Sequence, residues 1–213
     1  MSLDILDEID KLFNLPNFHV LLGNHELSQI LGEDIFHYES NQVKDFEEHV
    51  MDRHEWFDEQ FMYSTAYKES MKRWSWGAKT HNGIFIMHSG PHDISMQELK
   101  EKGNTIETID TSYAFSRNKF ALKTIENFIW ARPWDDYTPS LIDEFLATVN
   151  CHTMIVGHTV ARLGYGIFDK QIILSSSYGG DRKKCYIDIP LNADIKNVDD
   201  VAKYIQVLRG KFI

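Results

Sequence analysis

The chain has 213 residues, 43% of them hydrophobic and 13% aromatic, enough for one globular domain with a substantial core or a domain with a lid. Its formal net charge of −10 excludes a nonspecific nucleic-acid binder, because neutralising phosphates takes a basic surface. No apolar run is long enough to span a bilayer and no signal peptide is visible; Cys151 and Cys185 make no disulfide framework, so a cytoplasmic protein with neither membrane nor nucleic-acid partners is expected.

Residues 4 to 14 place Ile5, Leu6, Ile9, Leu12 and Phe13 on one helical face with acidic residues opposite, and Pro16 ends that helix. A short apolar run, His19-Val20-Leu21-Leu22, predicts a first strand, which stops at the polar turn Gly23-Asn24-His25-Glu26. From Leu27 to Gly77 the chain is polar and aromatic with few Gly or Pro, which predicts two or three helices forming a cap over the strand ends. Aromatics at helical spacing there are ordinarily core, and otherwise a grip for a peptide or nucleobase. The acidic cluster Asp45, Glu47, Glu48, Asp52, Glu55, Asp58 and Glu59 predicts a solvated helix face.

Thr80-His81-Asn82-Gly83 is a turn into a second strand, Ile84-Phe85-Ile86-Met87, which stops at His88-Ser89-Gly90. A loop with a short helix is expected from Pro91 to Asp110, then a helix from Phe115 to Asn127, then Trp130-Ala131-Arg132. Ser140, with Asp143 three residues on, reads as the N-cap of a helix through Val149. The third strand, Thr153 to Val156, stops at Gly157-His158-Thr159. Gln171 to Leu174 and Lys184 to Ile189 read as strands either side of a turn at residues 175–180. A last helix, Val198 to Leu208, places Val201, Tyr204, Ile205 and Leu208 on one side.

Three strands thus end at histidine-bearing turns, and ligands of open α/β sheets bind beyond such strand ends. Asn24 offers a carbonyl oxygen and His88 and His158 offer imidazole nitrogens, an N/O set suited to Mn, Fe, Zn or Ni. The spacings of 64 residues (24 to 88) and 70 residues (88 to 158) exceed those of a local motif such as a zinc finger, so the fold must build the site. His25 follows a candidate ligand directly and suits a general acid, because imidazole titrates near neutral pH; Glu26 suits an orienting carboxylate. A lone histidine at a strand end is ordinarily a hydrogen-bonded structural residue. The ordered set of three is what points to a metal site and to hydrolysis.

That ordered set resembles the calcineurin-like metallophosphoesterase superfamily, most of all its phosphoprotein (serine/threonine) phosphatase branch and the related diadenosine tetraphosphatases. Gly23-Asn24-His25-Glu26 is similar to the family's Gly-Asn-His-Glu motif, His88-Ser89-Gly90 to its His-Gly-Gly-like element, and Gly157-His158-Thr159 to its terminal Gly-His-Thr. The resemblance implies a metallo-dependent phosphatase-like α/β/β/α sandwich. It implies that Asn24, His88 and His158 bind one ion of a centre that is dinuclear in complete relatives, and that His25 protonates the leaving group. Trp130-Ala131-Arg132 looks like the family's Trp-x-Arg element, which implies that Arg132 holds the substrate phosphate.

Two family motifs that precede Gly-Asn-His-Glu, Gly-Asp-x-His-Gly and Gly-Asp-x-x-Asp-Arg-Gly, do not occur in this sequence, and residues 175–180 stand where relatives often carry Asp-Thr-Gly. His92-Asp93 and Asp52-Arg53-His54 have suitable atoms in the wrong motif context. The expectation is therefore a single domain, 1–213, incomplete at its N-terminus and missing its first β-α-β portion, with the helical cap inserted at 27–77. At most one ion is expected. The implied activity is hydrolysis of phosphomonoesters, in phosphorylated proteins or small phosphoesters, impaired in this chain alone. The alternatives are a degenerate, non-catalytic binding module and a diadenosine tetraphosphatase-like hydrolase. Exposed sheet edges would be covered by a second copy or another partner.

Overall fold

The computed structural model describes residues 3–37, 40–54, 56–175 and 184–208. Glu55 of the acidic cluster and residues 176–180 of the expected Ser/Gly turn lie outside the described residues. The fold is mixed α/β. In chain order the elements are α1 (Leu3–Leu12), α2 (Asn24–Leu31), β1 (Phe36–His37), β2 (Ser40–Asn41), α3 (Gln42–Arg53) and α4 (Phe57–Met71). Next come β3 (Gly77–Lys79), β4 (Ile84–Met87), α5 (Asp93–Glu101), α6 (Thr111–Arg117), α7 (Lys119–Trp130) and α8 (Pro139–Thr148). The chain continues with β5 (Thr153–Val156), β6 (Tyr165–Phe168), β7 (Gln171–Leu174), β8 (Cys185–Ile187), α9 (Val198–Ala202) and β9 (Ile205–Val207). They group into two compact units, Met1–Trp76 with Asp110–Leu122 and Gly77–Ile109 with Lys123–Ile213.

The first unit is helical, and the expected helices between 27 and 77 belong to it as the end of α2, α3 and α4. Gly23, in an extended conformation, opens α2, and its N–H donates to Glu26 Oε2 at 3.0 Å. Gly32 closes α2 at φ 70, a left-handed position that a glycine takes without steric cost. Asn41 caps α3, its Oδ1 accepting from the N–H groups of Val43 and Lys44 at 3.2 and 3.4 Å. The short link after α3 makes an antiparallel hairpin with α4, tied by Gln60 Nε2 to the carbonyls of His54 (2.7 Å) and Met51 (3.3 Å).

Three expectations are corrected here. Glu47 does not belong to a solvated face. It accepts from Gln29 Nε2 at 2.6 Å and Ser64 Oγ at 2.8 Å and pairs with Lys68 at 2.7 Å. The acids of α1 likewise do not all face water. Asp4 and Asp7 bridge to Arg53 at 3.1 and 3.0 Å, Asp7 accepts from the Tyr67 hydroxyl at 2.8 Å, and Asp10 accepts from Ser70. These acids recur every three residues and share one helix side, so polar contacts share the docking of α1 with the buried Leu3 and Leu6, leaving Ile5 exposed. The expected strand at residues 19–22 is a single bridge, Leu21 to Ser75, flanked by the bonds Leu22 N–H to Ser75 O (2.8 Å) and Ser75 N–H to Val20 O (3.1 Å). Its partner is one residue of the turn leaving α4, so no ladder can extend.

The second unit is built on a five-stranded sheet of order β3-β4-β5-β7-β6. β4, β5 and β7 are parallel, and β3 and β6 are antiparallel edges. Both faces are covered, which is why the central strands read as unbroken apolar runs. On one face Phe85 meets Phe145 of α8 edge-on at 5.1 Å, and Phe145 meets Phe128 of α7 at 6.0 Å. On the other, Ile84, Ile86, Ile155 and Ile172 pack with Ile187 of β8, Val201 of α9 and Ile205 of β9. The β8–β9 pair and α9 therefore form a layer against the sheet.

Three further boundaries differ from expectation. α8 starts at Pro139 after Thr138, not after Ser140, because proline takes the first helical position, where no N–H partner is needed. The expected helix from 115 to 127 is two, broken at Asn118, whose Oδ1 accepts from Ala121 N–H at 3.0 Å. The expected last helix stops at Ala202. Ile205 to Val207 pair antiparallel with Cys185 to Ile187 instead, the β-branched Ile205 and Val207 favouring the ladder offered by β8. Cys151 and Cys185 are both buried. Among the described residues no helix is long and apolar enough to cross a membrane.

Candidate metal-binding site

The site grows from the parallel register of β4 and β5. Met87 stands opposite Val156, so the residues that follow each strand, His88 and Gly157, leave the same sheet end side by side. Gly157 N–H donates to the His88 carbonyl at 2.9 Å, which carries the pairing one step past the strands. The chain then turns sharply. Thr159 N–H donates to Gly157 O at 2.6 Å, and the residue between them, His158, holds φ 58. A left-handed, non-glycine residue at the centre of a three-residue turn is a strained conformation of the sort held in place at ligand sites.

The turn brings His158 Nδ1 to 3.1 Å from His88 Nε2, with the imidazole centroids 5.0 Å apart and the rings steeply inclined. Two nitrogens each about 2.0–2.1 Å from one ion, at angles between octahedral and tetrahedral, stand about 2.9–3.4 Å apart. The observed separation falls inside that interval, so this pair fits adjacent positions on one cation. Trp130, the last residue of α7, presents its ring edge-to-face to His158 at 5.9 Å. Among the described residues no group of three His, Cys, Asp or Glu side chains converges, so the imidazole pair is the part of the expected ligand set that the second unit supplies by itself.

The segment after Trp130 is clamped to the segment after His88. Ser89 Oγ donates to the Ala131 carbonyl. Gly90 lies against the Tyr137 ring so closely that a Cβ there would come within 3.0 Å of it, which is why a glycine follows His88 by two. Tyr137 is buried and its hydroxyl donates to Gln171 Oε1 at 3.1 Å; burial pushes the phenol up to about 12. Between these clamps lies Arg132. Its N–H donates to Asp136 Oδ2 at 2.8 Å, Asp136 N–H returns to its carbonyl at 3.0 Å, and Arg132 is exposed. His92, the N-cap residue just before α5, places Nε2 3.9 Å from Asp136 Oδ1.

The other two expected site residues open α2 in the first unit. Asn24 is 5% exposed and His25 is exposed. Beside them Glu26 is spent on the Gly23 N–H, and burial raises its carboxyl above the usual range. The sequence suggests Glu26 as a carboxylate that orients a neighbouring site residue; the bond the structure gives it is this backbone cap at the start of α2. Of the positions set aside on motif grounds, Arg53 bridges to Asp4 and Asp7, and His54 stacks on Tyr63 at 3.8 Å. Tyr137 was not legible as a site-shaping residue. The signal that could have found it is Gly90, a small residue demanding a large neighbour.

A family model described as calcineurin-like phosphoesterase matches residues 1–162, a span that includes Asn24, His25, His88, Arg132 and His158. The chain belongs to that family. Solved structures similar in fold to this calcineurin-like phosphoesterase include a protein serine/threonine phosphatase from Saccharomyces cerevisiae with similarity to human phosphatase PP5. It is 16% identical at TM-score 0.54, over 81% of this chain and 51% of that one. A cold-active protein-tyrosine phosphatase of a psychrophilic Shewanella species is 20% identical at TM-score 0.51, over 75% of this chain and 50% of that one. The phosphoesterase thus spans about half the length of these solved structures, and at such identities the likeness is one of fold. No curated protein matches it.

Proposed function

We propose that this calcineurin-like phosphoesterase is a metal-dependent phosphatase of the serine/threonine type, hydrolysing phosphomonoesters of phosphorylated proteins or small phosphoesters. The observation that carries the reading is the 3.1 Å approach of His88 Nε2 and His158 Nδ1 at one sheet end. In this proposal the two imidazoles hold a divalent cation, Mn, Fe, Zn or Ni, with Asn24 assigned as a further ligand through the Gly-Asn-His-Glu motif. Such a cation supplies Lewis acidity and a bound water of lowered pKa. His25, exposed on the first turn of α2, is assigned the proton delivered to the leaving alkoxide. Arg132, exposed on the clamped turn, is assigned to the phosphate oxygens, which its planar fork matches.

Two imidazoles and one amide oxygen hold an ion loosely, and the described residues offer no group of three His, Cys, Asp or Glu side chains, so slow turnover by the isolated chain is part of the proposal. The test is p-nitrophenyl phosphate hydrolysis with and without Mn. Slow, chelator-sensitive turnover that disappears in His88→Ala and in His158→Ala is expected. Turnover indifferent to both substitutions would overturn the assignment, and rapid turnover would overturn the impairment. Stoichiometric metal with no turnover on this ester, on a phosphopeptide or on diadenosine tetraphosphate would favour the non-catalytic module.

A further inference from the structure

The closed end of the α3–α4 hairpin carries a surface that the phosphoesterase chemistry does not use. Trp56 and Phe61 are each 70% exposed, Met62 is 56% exposed and Met51 is 52% exposed. All four lie within about two helical turns of the link, whose antiparallel geometry is pinned by Gln60. Scattered exposed apolar residues are ordinary, but two aromatics and two methionines clustered at one tip are the composition of a docking surface.

The charge around the cluster selects the occupant. Glu48 and Asp52 are one turn apart on α3 and flank Met51, while Asp58 and Glu59 begin α4 just before Phe61 and Met62. All four carboxylates are exposed, and among the described residues none is paired with a base. The bases of these helices are used elsewhere: Arg53 bridges to Asp4 and Asp7, Lys68 to Glu47 and Lys72 to Glu69, and Lys44 lies at the opposite end of α3. A second copy docking by two-fold symmetry would set these carboxylates against their own images. Anionic lipid and nucleic acid would meet the same repulsion. A cationic protein segment meets none.

We infer that the α3–α4 tip is a docking site for a basic amphipathic helix of a partner protein. Its apolar stripe lies over Trp56, Phe61 and the two methionines, and its Lys or Arg residues meet Glu48, Asp52, Asp58 and Glu59. Aromatic anchors set the affinity and the carboxylate rim sets encounter and salt dependence.

The test uses the full chain and a fluorescein-labelled peptide of about 18 residues with Leu on one helical stripe and Lys elsewhere, followed by anisotropy at two salt concentrations. Saturable binding is expected, weakened by at least about tenfold in the Trp56→Ala/Phe61→Ala variant. The Asp52→Lys/Asp58→Lys variant is expected to bind more weakly and with a flatter salt dependence. A peptide of the same composition, scrambled so that its leucines share no face, should lose most of the affinity. Circular dichroism checks that the variants keep their helices, as exposed positions should. Equal binding of the scrambled peptide, or of the Trp56→Ala/Phe61→Ala variant, would overturn the inference. So would a sedimentation-detected dimer that the same variant dissolves, or vesicle binding by the unmodified chain.

Discussion

His88 Nε2 and His158 Nδ1 face each other across 3.1 Å although 70 residues separate them in the chain. Three ordinary devices produce this: the parallel register of Met87 with Val156, the bond from Gly157 N–H to the His88 carbonyl, and the left-handed turn at His158. None of them involves the helices of the first unit. The pair is a property of the sheet unit.

If this pair holds the cation, removing either ring removes one of two strong nitrogen donors. His88→Ala and His158→Ala are each expected to lower Mn or Zn affinity at least about tenfold, with the circular dichroism spectrum unchanged. Elemental analysis after dialysis against a metal buffer reads the effect. Metal content that ignores both changes would remove the site.

Gly90 has no room for a side chain beside Tyr137. Gly90→Ala is expected to destabilise the chain by about 1–3 kcal/mol, the usual cost of forcing an extra carbon into a packed contact. The check is urea unfolding of Gly90→Ala, Tyr137→Ala and the double variant. The ring is the obstacle, so the double variant should be more stable than the two losses summed; strict additivity would contradict the contact.

Tyr137 and Tyr67 give the fold an alkaline limit. Burial is the main cause in both, reinforced at Tyr67 by its hydrogen bond to Asp7 and that carboxylate's charge, and both phenols are pushed up to about 12. A phenol near 10 when unfolded and near 12 when folded holds its proton more tightly in the native state. Its stabilisation is therefore present below about pH 10 and is lost as pH rises from about 10 through about 12, at up to about 1.4 kcal/mol per pH unit for each tyrosine. Unfolding free energy measured across that window should fall steeply, and Tyr137→Phe should flatten the fall by about half.

The residues that announced the site did so because chemistry and backbone pattern coincided. The apolar runs ending at His88 and at His158 are true strands, neighbours in the sheet, with their histidines just past the ends. The run ending at Asn24 looked the same locally but found one bridging residue, Ser75, in place of a strand. Hydrophobic pattern reports what a segment can pair with, and tertiary context decides what it meets. The same reason turned residues 205–207 from helix to strand, since β8 supplied a ladder that no local signal encodes. Strand β6 is not legible in the sequence because Tyr165 and Ile167 stand half out of the core, which leaves Tyr-Gly-Ile-Phe without a buried run. The buried cradle around Tyr137 leaves a single local signal, Gly90, because its parts, Gly90, Tyr137 and Gln171, are far apart in the chain and no local pattern names the partner that the glycine accommodates.

The register of β4 against β5 also dictates where this gene can tolerate insertions and deletions. Adding or deleting one residue between Ile84 and His88, or between Thr153 and His158, would slide one ring by about 3.3 Å and swing it to the opposite side of the pleat. The stretch from Pro91 to Asn150 carries no such penalty wherever it loops over the surface, at Gly103 and Asn104 for example. Length variation among descendants of this chain should therefore accumulate between the two histidine turns and vanish within a few residues of each.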